Sequence, residues 1–316
     1  MSLNDDSGDE ALYVVVKASF RESPSWTLAD NPLPIWKADQ YFTEPATSSL
    51  RYPSELHLGK STTDIIVEGD ACAPDGRRVL WHEVGIHIGS LRHQLKVCGD
   101  RVWERGKPSD PEPFERIPLR YERAYGGAVA EQSRWLVYDD RNPVGRFAIG
   151  RCQDVSVEGQ LLPNIEHPLG GVRSRDDYPE PVGVGPVAPH WHSRAQYAGT
   201  YDQNWQRTRA PFVPEDFSRR FFNVASPGLV YPGWLSGEEP MTFSGFSPAG
   251  EWRSRLPKVI LSVSAKCKRG SESMQPQLET VFVRPEEKAL SMTWRASLSR
   301  SHRLLSVESV TVALSR

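Results

Sequence analysis

His190 and His192 are the residues of this sequence best suited by type and spacing to bind a metal ion. They flank Trp191, and alternate residues of a β-strand share one face, so both imidazoles could reach the same ion. Asp202 or Glu166 could supply a further oxygen ligand. Two histidines do not complete a ligand set, and Trp191 fits equally well as an anchor of the core. A metal-dependent hydrolase using His190 and His192 therefore stays an alternative, while we predict no metal and no cofactor.

Three short motifs resemble nucleotide-binding or catalytic sequences, but each lacks a required feature. Residues 59–62 (GKST) resemble the end of a phosphate-binding loop, yet Ser54 stands where that loop needs a glycine. Residues 183–188 have the glycine spacing of a dinucleotide site, but Pro186 removes a backbone N–H and no helical pattern follows. In residues 245–250 the second glycine comes one position too late for a nucleophile elbow. We predict no catalytic residue in these motifs.

Aromatic side chains make up much of the apolar content of the chain. Hydrophobic residues occupy 38% of the 316 positions, and 10 Trp, 10 Tyr and 11 Phe residues are among them. Each ring buries a large area, so an aromatic-rich core is feasible. With 26 Pro and 24 Gly residues, the chain is interrupted too often for long helices.

Charge and cysteine content exclude several classes of protein. The 38 Lys and Arg residues nearly balance the 40 Asp and Glu residues, so no net basic field would hold a nucleic acid. The four cysteines are widely spaced without a CxxC pair, which is typical of reduced thiols. The acidic start lacks the features of a secretory signal, and no apolar run is long enough to span a bilayer. We therefore expect a cytoplasmic location and no membrane insertion.

Alternating and β-branched stretches predict an all-β, mostly antiparallel protein with sandwich-like β regions at both ends and an irregular, loop-rich, aromatic middle. An Asp75-Gly76 turn predicts a hairpin between residues 64–71 and 79–88. Residues 214–222 could form one short helix. The other predicted strands are residues 11–20, 94–98, 259–267, 279–284, 290–296 and 304–314.

The same patterns divide the chain into four parts. Residues 1–10 are expected to be a disordered tail, and residues 11–104 form the N-terminal β region. Residues 105–118 are charged and Pro-rich, as in a linker or crossing loop. Residues 119–316 hold the irregular middle and the C-terminal β region, which we expect to pack with the first region as one unit.

Several sequence blocks stand out in the middle of the chain. They are PLRYERAYGG at 118–127, NPVGR at 142–146, LPNIE at 162–166, AGTYD at 198–202 and FFNVA at 221–225, preceded by SSLRY at 48–52 and VCGDRVW at 97–103. In this order, the blocks resemble the bacterial family known as domain of unknown function 2169. The resemblance covers about residues 11–300.

The resemblance implies a role in type VI secretion. Members of the family act as cytoplasmic adaptors or chaperones that bind an effector protein and help load it onto the VgrG spike, often together with a PAAR tip. No catalytic activity and no cofactor is attached to the family. The resemblance leaves open the role of the signature residues, which are Arg120, Tyr121, Glu122, Arg123, Tyr125, Gly126, Gly127, Asn142, Pro143, Gly145, Arg146, Asn164, Glu166, Trp191, Gly199, Tyr201, Asp202, Trp205, Arg209, Phe222 and Asn223.

Two interpretations of these residues compete. Arg120, Glu122 and Arg123 are expected either to form a buried ion-pair network that orders the middle or to contact a partner. Gly126 and Gly127 are expected at turn positions that require a positive φ. The many Trp and Tyr residues also keep a carbohydrate-binding β-sandwich open as an alternative function.

Overall fold

The computed structural model describes residues 1–5, 8–132, 134–268, 270–299 and 307–314. The strands of the N-terminal part are β1 (Ser2–Asn4), β2 (Glu10–Glu22), β3 (Trp26–Leu28), β4 (Gln40–Tyr41), β5 (Leu50–Tyr52), β6 (Asp64–Val67), β7 (Asp70–Cys72), β8 (Trp81–Ile88), β9 (Leu91–Cys98), β10 (Trp103–Glu104), β11 (Lys107–Pro108) and β12 (Arg116–Pro118). The later strands are β13 (Tyr125–Gly126), β14 (Ala128–Glu131), β15 (Arg134–Tyr138), β16 (Arg146–Phe147), β17 (Ile165–Glu166), β18 (Pro240–Ser244), β19 (Trp252–Arg255), β20 (Leu261–Cys267), β21 (Gly270–Met274), β22 (Gln277–Arg284), β23 (Ala289–Ser299) and β24 (Val307–Leu314). Short helices are α1 (His192–Ala195) and α2 (Gln203–Thr208), with 3₁₀ turns at Pro74–Gly76, Tyr121–Arg123, Ala148–Arg151, Arg219–Phe222 and Pro227–Leu229.

The predicted all-β, mostly antiparallel fold is confirmed. Among the described residues, no helix combines the length and the apolar character needed to cross a membrane.

The first sheet joins the two ends of the chain. Its strand order is β1-β2-β23-β22-β6, and β3 pairs with the end of β2. The long strands β2 and β23 are antiparallel, whereas β6 lies parallel to β22. The N-terminal and C-terminal β regions are therefore hydrogen-bonded to each other within one sheet.

The second sheet has the order β17-β9-β8-β18-β19. The predicted alternation in β8 is confirmed, because Val84, Ile86 and Ile88 are buried while the residues between them are half-buried. These side chains share one hydrophobic core with residues of the first sheet such as Met292 and Trp294. The two sheets thus bury their apolar faces together, as in a sandwich.

A third sheet, of order β21-β20-β24, packs against the N-terminal part of β2 and the C-terminal part of β23. Val263 and Ala265 of β20 form a separate apolar cluster with Ala296 and Leu298 of β23. β24 corresponds to the predicted strand 304–314, of which residues 304–306 lie outside the described residues.

The predicted hairpin between residues 64–71 and 79–88 is wrong. The turn itself forms, with positive φ at Asp75 and Gly76. It connects strands of different sheets, however: β6 pairs with β22, β7 pairs with β12, and β8 pairs with β9. The turn residues determine a local reversal, but the pairing partners are chosen by burial of the apolar faces.

Two further predictions differ from the structure, and for residues 105–118 the structure shows the crossing-loop alternative. Within residues 1–10, expected as a disordered tail, β1 pairs antiparallel with β2. Residues 105–118 are a crossing loop that contains β11 and β12, with the Phe114 side chain buried. In place of a helix over residues 214–222 there is only the 3₁₀ turn Arg219–Phe222, capped by the Ser218 hydroxyl.

The face of the first sheet that points away from the core carries buried charges. Successive side chains of a strand point to opposite faces, so Thr293 and Arg295 lie opposite the core residue Trp294. Arg295 Nε lies 2.8 Å from Glu279 Oε2, and both side chains are buried. Its Nη2 donates to the backbone carbonyl of Glu55, whose carboxylate accepts from Thr293. Each carboxylate in this polar layer faces a cation or a hydroxyl donor, whereas Arg295 Nη1 is buried without a hydrogen-bond partner among the described residues.

His57 is buried in the same layer and makes stability depend on pH. Its Nδ1 accepts from the Gly59 N–H at 3.1 Å, a bond that protonation of this nitrogen would remove. Burial, together with the charges of Arg295 and Lys60, lowers the pKa of His57 well below its ordinary value. The unfolded chain therefore takes up a proton that the folded state excludes. Below about pH 6.5 we expect the free energy of unfolding to fall by up to about 1.4 kcal/mol per pH unit.

Urea unfolding at about pH 7.5 and about pH 5.5 measures this loss. His82, His93 and His190 also have pKa values lowered by burial, so the wild type alone does not isolate His57. The His57→Gln variant keeps a hydrogen-bonding side chain without the titration, and we expect it to lose less stability on acidification than the wild type. An equal loss in both proteins would contradict the assignment.

Candidate protein-binding surface

Asn142 holds the backbone around the signature glycines Gly126, Gly127 and Gly145 in place through hydrogen bonds. Its side-chain amide donates to the backbone carbonyls of Tyr121 (2.9 Å) and Tyr125 (2.8 Å), and Asn142 is fully buried. Its own carbonyl accepts from the N–H groups of Gly127 and Gly145. The backbones approach so closely that a Cβ on Gly145 would lie 2.5 Å from the Asn142 amide nitrogen. Asparagine fits here because it can donate two hydrogen bonds from one short side chain.

The positive φ predicted for the double glycine is confirmed, with values of 140° at Gly126 and 121° at Gly127. A Cβ on Gly126 would lie 2.2 Å from the Asn142 carbonyl oxygen. At these two positions a residue with a Cβ is disfavoured by the positive φ and has no space beside the neighbouring backbone. Pro143, half-buried, follows Asn142 in the same turn.

Asn164 organises a second polar cluster. Its amide nitrogen donates to the Cys98 carbonyl and to Asp100, while its oxygen accepts from Arg123 (3.0 Å) and Arg146 (2.8 Å). Burial opposes ionisation of Asp100, but the hydrogen bond from Asn164 and the two arginine charges outweigh it and lower the Asp100 pKa. Asn164 thus joins its own block, residues 162–166, to three others: residues 97–103, 118–127 and 142–146.

The expected buried network of Arg120, Glu122 and Arg123 is not formed, because the three side chains point to different partners. The Arg120 guanidinium is exposed and lies 3.9 Å from the centre of the Phe42 ring. The Glu122 carboxylate accepts from the N–H and hydroxyl of Ser49. Arg120 has an extended backbone, whereas Glu122 and Arg123 lie in the 3₁₀ turn that follows it. The three side chains therefore point in different directions.

Tyr121, Trp191 and Glu166 are structural anchors. The Tyr121 and Trp191 rings meet edge to face at 5.0 Å in the main core, and burial raises the pKa of Tyr121 to about 12. Glu166 pairs with Arg101 at 2.7 Å and is almost fully buried. It also accepts from the N–H of Val172. Both contacts use Oε1 of Glu166, which therefore serves as the ion-pair partner of Arg101.

The block around α2 forms a local structure of its own. Asp202 is the N-cap of α2, its carboxylate accepting from the Trp205 N–H at 2.7 Å. Trp205 donates from its indole to a backbone carbonyl and stacks edge-on with Tyr201, and Arg209 Nε donates to the carbonyl of Val213. Gly199 has a φ of 80° beside Asp216. These residues set the path of the loop.

Phe222 and Asn223 connect the middle of the chain to the polar layer. The Phe222 ring stacks on His57 at 5.0 Å. Asn223 donates to Asp64 at 2.9 Å and accepts from the Ser61 N–H. Most signature residues described so far therefore hold irregular segments against the sheets.

The metal hypothesis loses its geometric basis. His190 and His192 do not lie on one strand: His192 is the first residue of α1, and His190 precedes it in a turn. Trp191 between them is the core anchor. Within the part of the chain that the structure describes, no group of three or more His, Cys, Asp or Glu side chains is placed to hold a metal ion.

An exposed aromatic hairpin, β14–β15, lies directly beyond the double glycine. The ladder has a register shift that adds Leu136 as an extra residue, so Trp135 and Tyr138 come to the same face with ring centres 5.2 Å apart. Trp135 is 58% exposed and Tyr138 45%. Leu136 and Val137 pack against the cluster of Trp103 and its neighbours and anchor the hairpin.

A groove of about 380 Å³ runs beside this hairpin. Gly126, Gly127 and Gly145 line it with backbone, and the half-exposed side chains of Val129 and Leu161 lie at its rim. Trp and Tyr side chains such as Trp135 and Tyr138 are enriched among the residues that dominate the energetics of protein interfaces. Sequence reasoning missed the hairpin, because residues 131–134 (EQSR) between its apolar strands contain none of the Gly, Asn or Asp residues that indicate a hairpin turn.

The protein is therefore all-β. Its middle region is held in place by buried glycine and asparagine residues and carries an exposed aromatic hairpin. The chain belongs to the bacterial family described as "Uncharacterized protein conserved in bacteria (DUF2169)", whose family model matches residues 7–295. No curated protein and no solved structure matches the chain. The resemblance stated from the sequence blocks is thereby confirmed at the level of the family.

Proposed function

We propose that this protein is a cytoplasmic adaptor that binds a type VI secretion effector and helps load it onto the VgrG spike, with a PAAR tip protein as a further partner. The exposed aromatic hairpin beside the glycine-lined groove carries this proposal, because it is a surface suited to hold another protein. The choice of partners rests on the resemblance to the family. The function is binding and involves no catalytic step.

Affinity purification of the tagged full chain from its own host, followed by mass spectrometry, tests the proposal. We expect co-purification of a VgrG protein and one toxin-like chain. Recovery of neither would overturn the proposal.

The carbohydrate-binding alternative rests on the same aromatic rings. Their planes are tilted by 53°, so Trp135 and Tyr138 do not form one flat platform for a sugar ring. Trp fluorescence titrated with a glycan panel distinguishes the two functions: a saturable change with one glycan would favour sugar binding. The hydrolase alternative predicts bound transition metal in the purified protein, which elemental analysis measures.

The double variant Trp135→Ala/Tyr138→Ala should weaken effector binding by about 30-fold or more, since truncating an aromatic hot-spot residue costs about 2 kcal/mol or more. Both rings are largely exposed, so the thermal unfolding midpoint should change little. Titration of the purified effector with each protein gives the two dissociation constants.

Trp81→Ala is the matched control, because Trp81 is 53% exposed but lies on β8, in a different sheet from the hairpin. Its affinity should equal that of the wild type. If the hairpin variant also binds like the wild type, the effector docks elsewhere.

A further inference from the structure

A second pocket, the arginine pocket, lies between α1, the 3₁₀ turn Arg219–Phe222 and the segment that follows it. Its volume is about 440 Å³, within the range of ligand sites in proteins. Arg194 and Arg220 both line it, and of the described residues that line it none is acidic.

Arg194 is a buried cation that forms no ion pair with a carboxylate of the described residues. It is 7% exposed, and its Nε and Nη1 donate to the backbone carbonyls of Phe221 (2.9 Å) and Val187 (2.8 Å). Within the described residues no carboxylate oxygen lies within 4 Å of its guanidinium. A buried charge is costly unless it is paired, so an anion entering this pocket gains more here than at the surface.

Arg220 supplies the second charge, at the mouth of the pocket. Its guanidinium lies 5.1 Å from the centre of the Tyr197 ring, which holds the side chain in place. Arg220 is exposed and forms no ion pair with a described residue. Two arginines on one pocket whose described lining holds no acidic residue make a surface complementary to carboxylates, and the charges of Asp39 and Asp64 reach Arg194 only from beyond ion-pair distance.

Two residues of the phosphate-loop-like sequence GKST (59–62) line this pocket, but the lysine does not. Ser61 and Thr62 line it, whereas Lys60 turns away to Asp64 and Thr280. Sites for phosphate usually present backbone N–H groups of glycine-rich loops. The lining contains no described glycine, and Pro227 and Pro232 offer no N–H.

We propose that the arginine pocket binds carboxylate side chains of an acidic segment of a partner polypeptide. Tyr197, Tyr231 and the two prolines provide apolar walls for that segment, and the arginines provide charge-assisted hydrogen bonds. The proposal rests on the proposed function only in that the partner is a protein; the chemistry of the pocket is independent of which protein it is.

A fluorescein-labelled hexaglutamate peptide, titrated with the full chain and followed by fluorescence anisotropy, tests the pocket. We expect saturable binding that hexaglutamine does not show. Arg220→Glu should weaken it by about tenfold or more, as loss of one charge-assisted hydrogen bond does. Arg253→Glu is the control, because Arg253 is exposed on β19 and does not line the pocket. Equal binding by the wild type and Arg220→Glu overturns the proposal.

Inorganic phosphate added as a competitor separates the two anion chemistries. Displacement of the peptide only at concentrations that act through ionic strength supports a carboxylate site, whereas saturable displacement by dilute phosphate overturns it. Arg194→Gln provides a second variant, used after its thermal unfolding shows a folded protein. If Arg220→Glu loses the peptide but still co-purifies the effector and VgrG, the adaptor function stands without this contact. If the wild type binds the peptide but no secretion protein, only the adaptor function fails.

Discussion

Replacing Lys60 with methionine should lower the free energy of unfolding by about 3 kcal/mol or more, the cost of leaving one partner of a buried ion pair uncompensated. Lys60 Nζ lies 2.6 Å from Asp64 Oδ2 and 2.7 Å from Thr280 Oγ1, and both charged side chains are almost completely buried. Asp64 would keep its hydrogen bonds from Asn223 and Val224 but lose its counter-ion. Urea unfolding followed by Trp fluorescence measures the loss.

Arg116→Met is the matched control for this variant. Arg116 pairs with Glu286 at 2.6 Å, a similar distance, but both side chains are more than two-fifths exposed. Exposed pairs contribute little, so the loss should stay below about 1 kcal/mol. Similar losses in the two variants would mean that the Lys60–Asp64 pair is solvated, contrary to the structure.

Replacing Gly126 with alanine should destabilise the protein by about 3 kcal/mol or more, because strain and overpacking act together. The backbone φ of 140° is unfavourable for any side chain, and the new methyl group would lie 2.2 Å from the Asn142 carbonyl. Asn142 would have to move, and the aromatic hairpin begins two residues further on. Thermal unfolding and effector binding should therefore both be impaired.

Gly185→Ala is the control for this prediction. A Cβ at Gly185 would meet nothing within 4 Å, and its φ is not in the positive range. Its stability should change by less than about 0.5 kcal/mol. A small effect at both glycines would show that the segment around Gly126 can relax at little cost.

The site was only partly predictable. Glycine pairs and asparagines in irregular segments signal special backbone conformations, so the positive φ of Gly126 and Gly127 could be inferred directly. Nothing local indicates that Asn142 reaches back to Tyr121 or that Asn164 joins Asp100 to Arg146. Such bonds connect segments far apart in the chain, and they form only when the sheets bring those segments together.

The sequence by itself determined the β class, the strands β2, β8, β20, β22 and β23 to within a few residues, and the family. Alternation and β-branched residues are local signals, which is why they were sufficient. Tertiary structure decided which strands pair: the Asp75-Gly76 turn formed, yet β6 joined β22, far along the chain. The arginine pocket also depends on tertiary structure, because Arg194 of α1 and Arg220 of the 3₁₀ turn Arg219–Phe222 line one pocket only once these two elements pack together. Strand partners and charge clusters depend on which surfaces are buried together, a property of the whole chain.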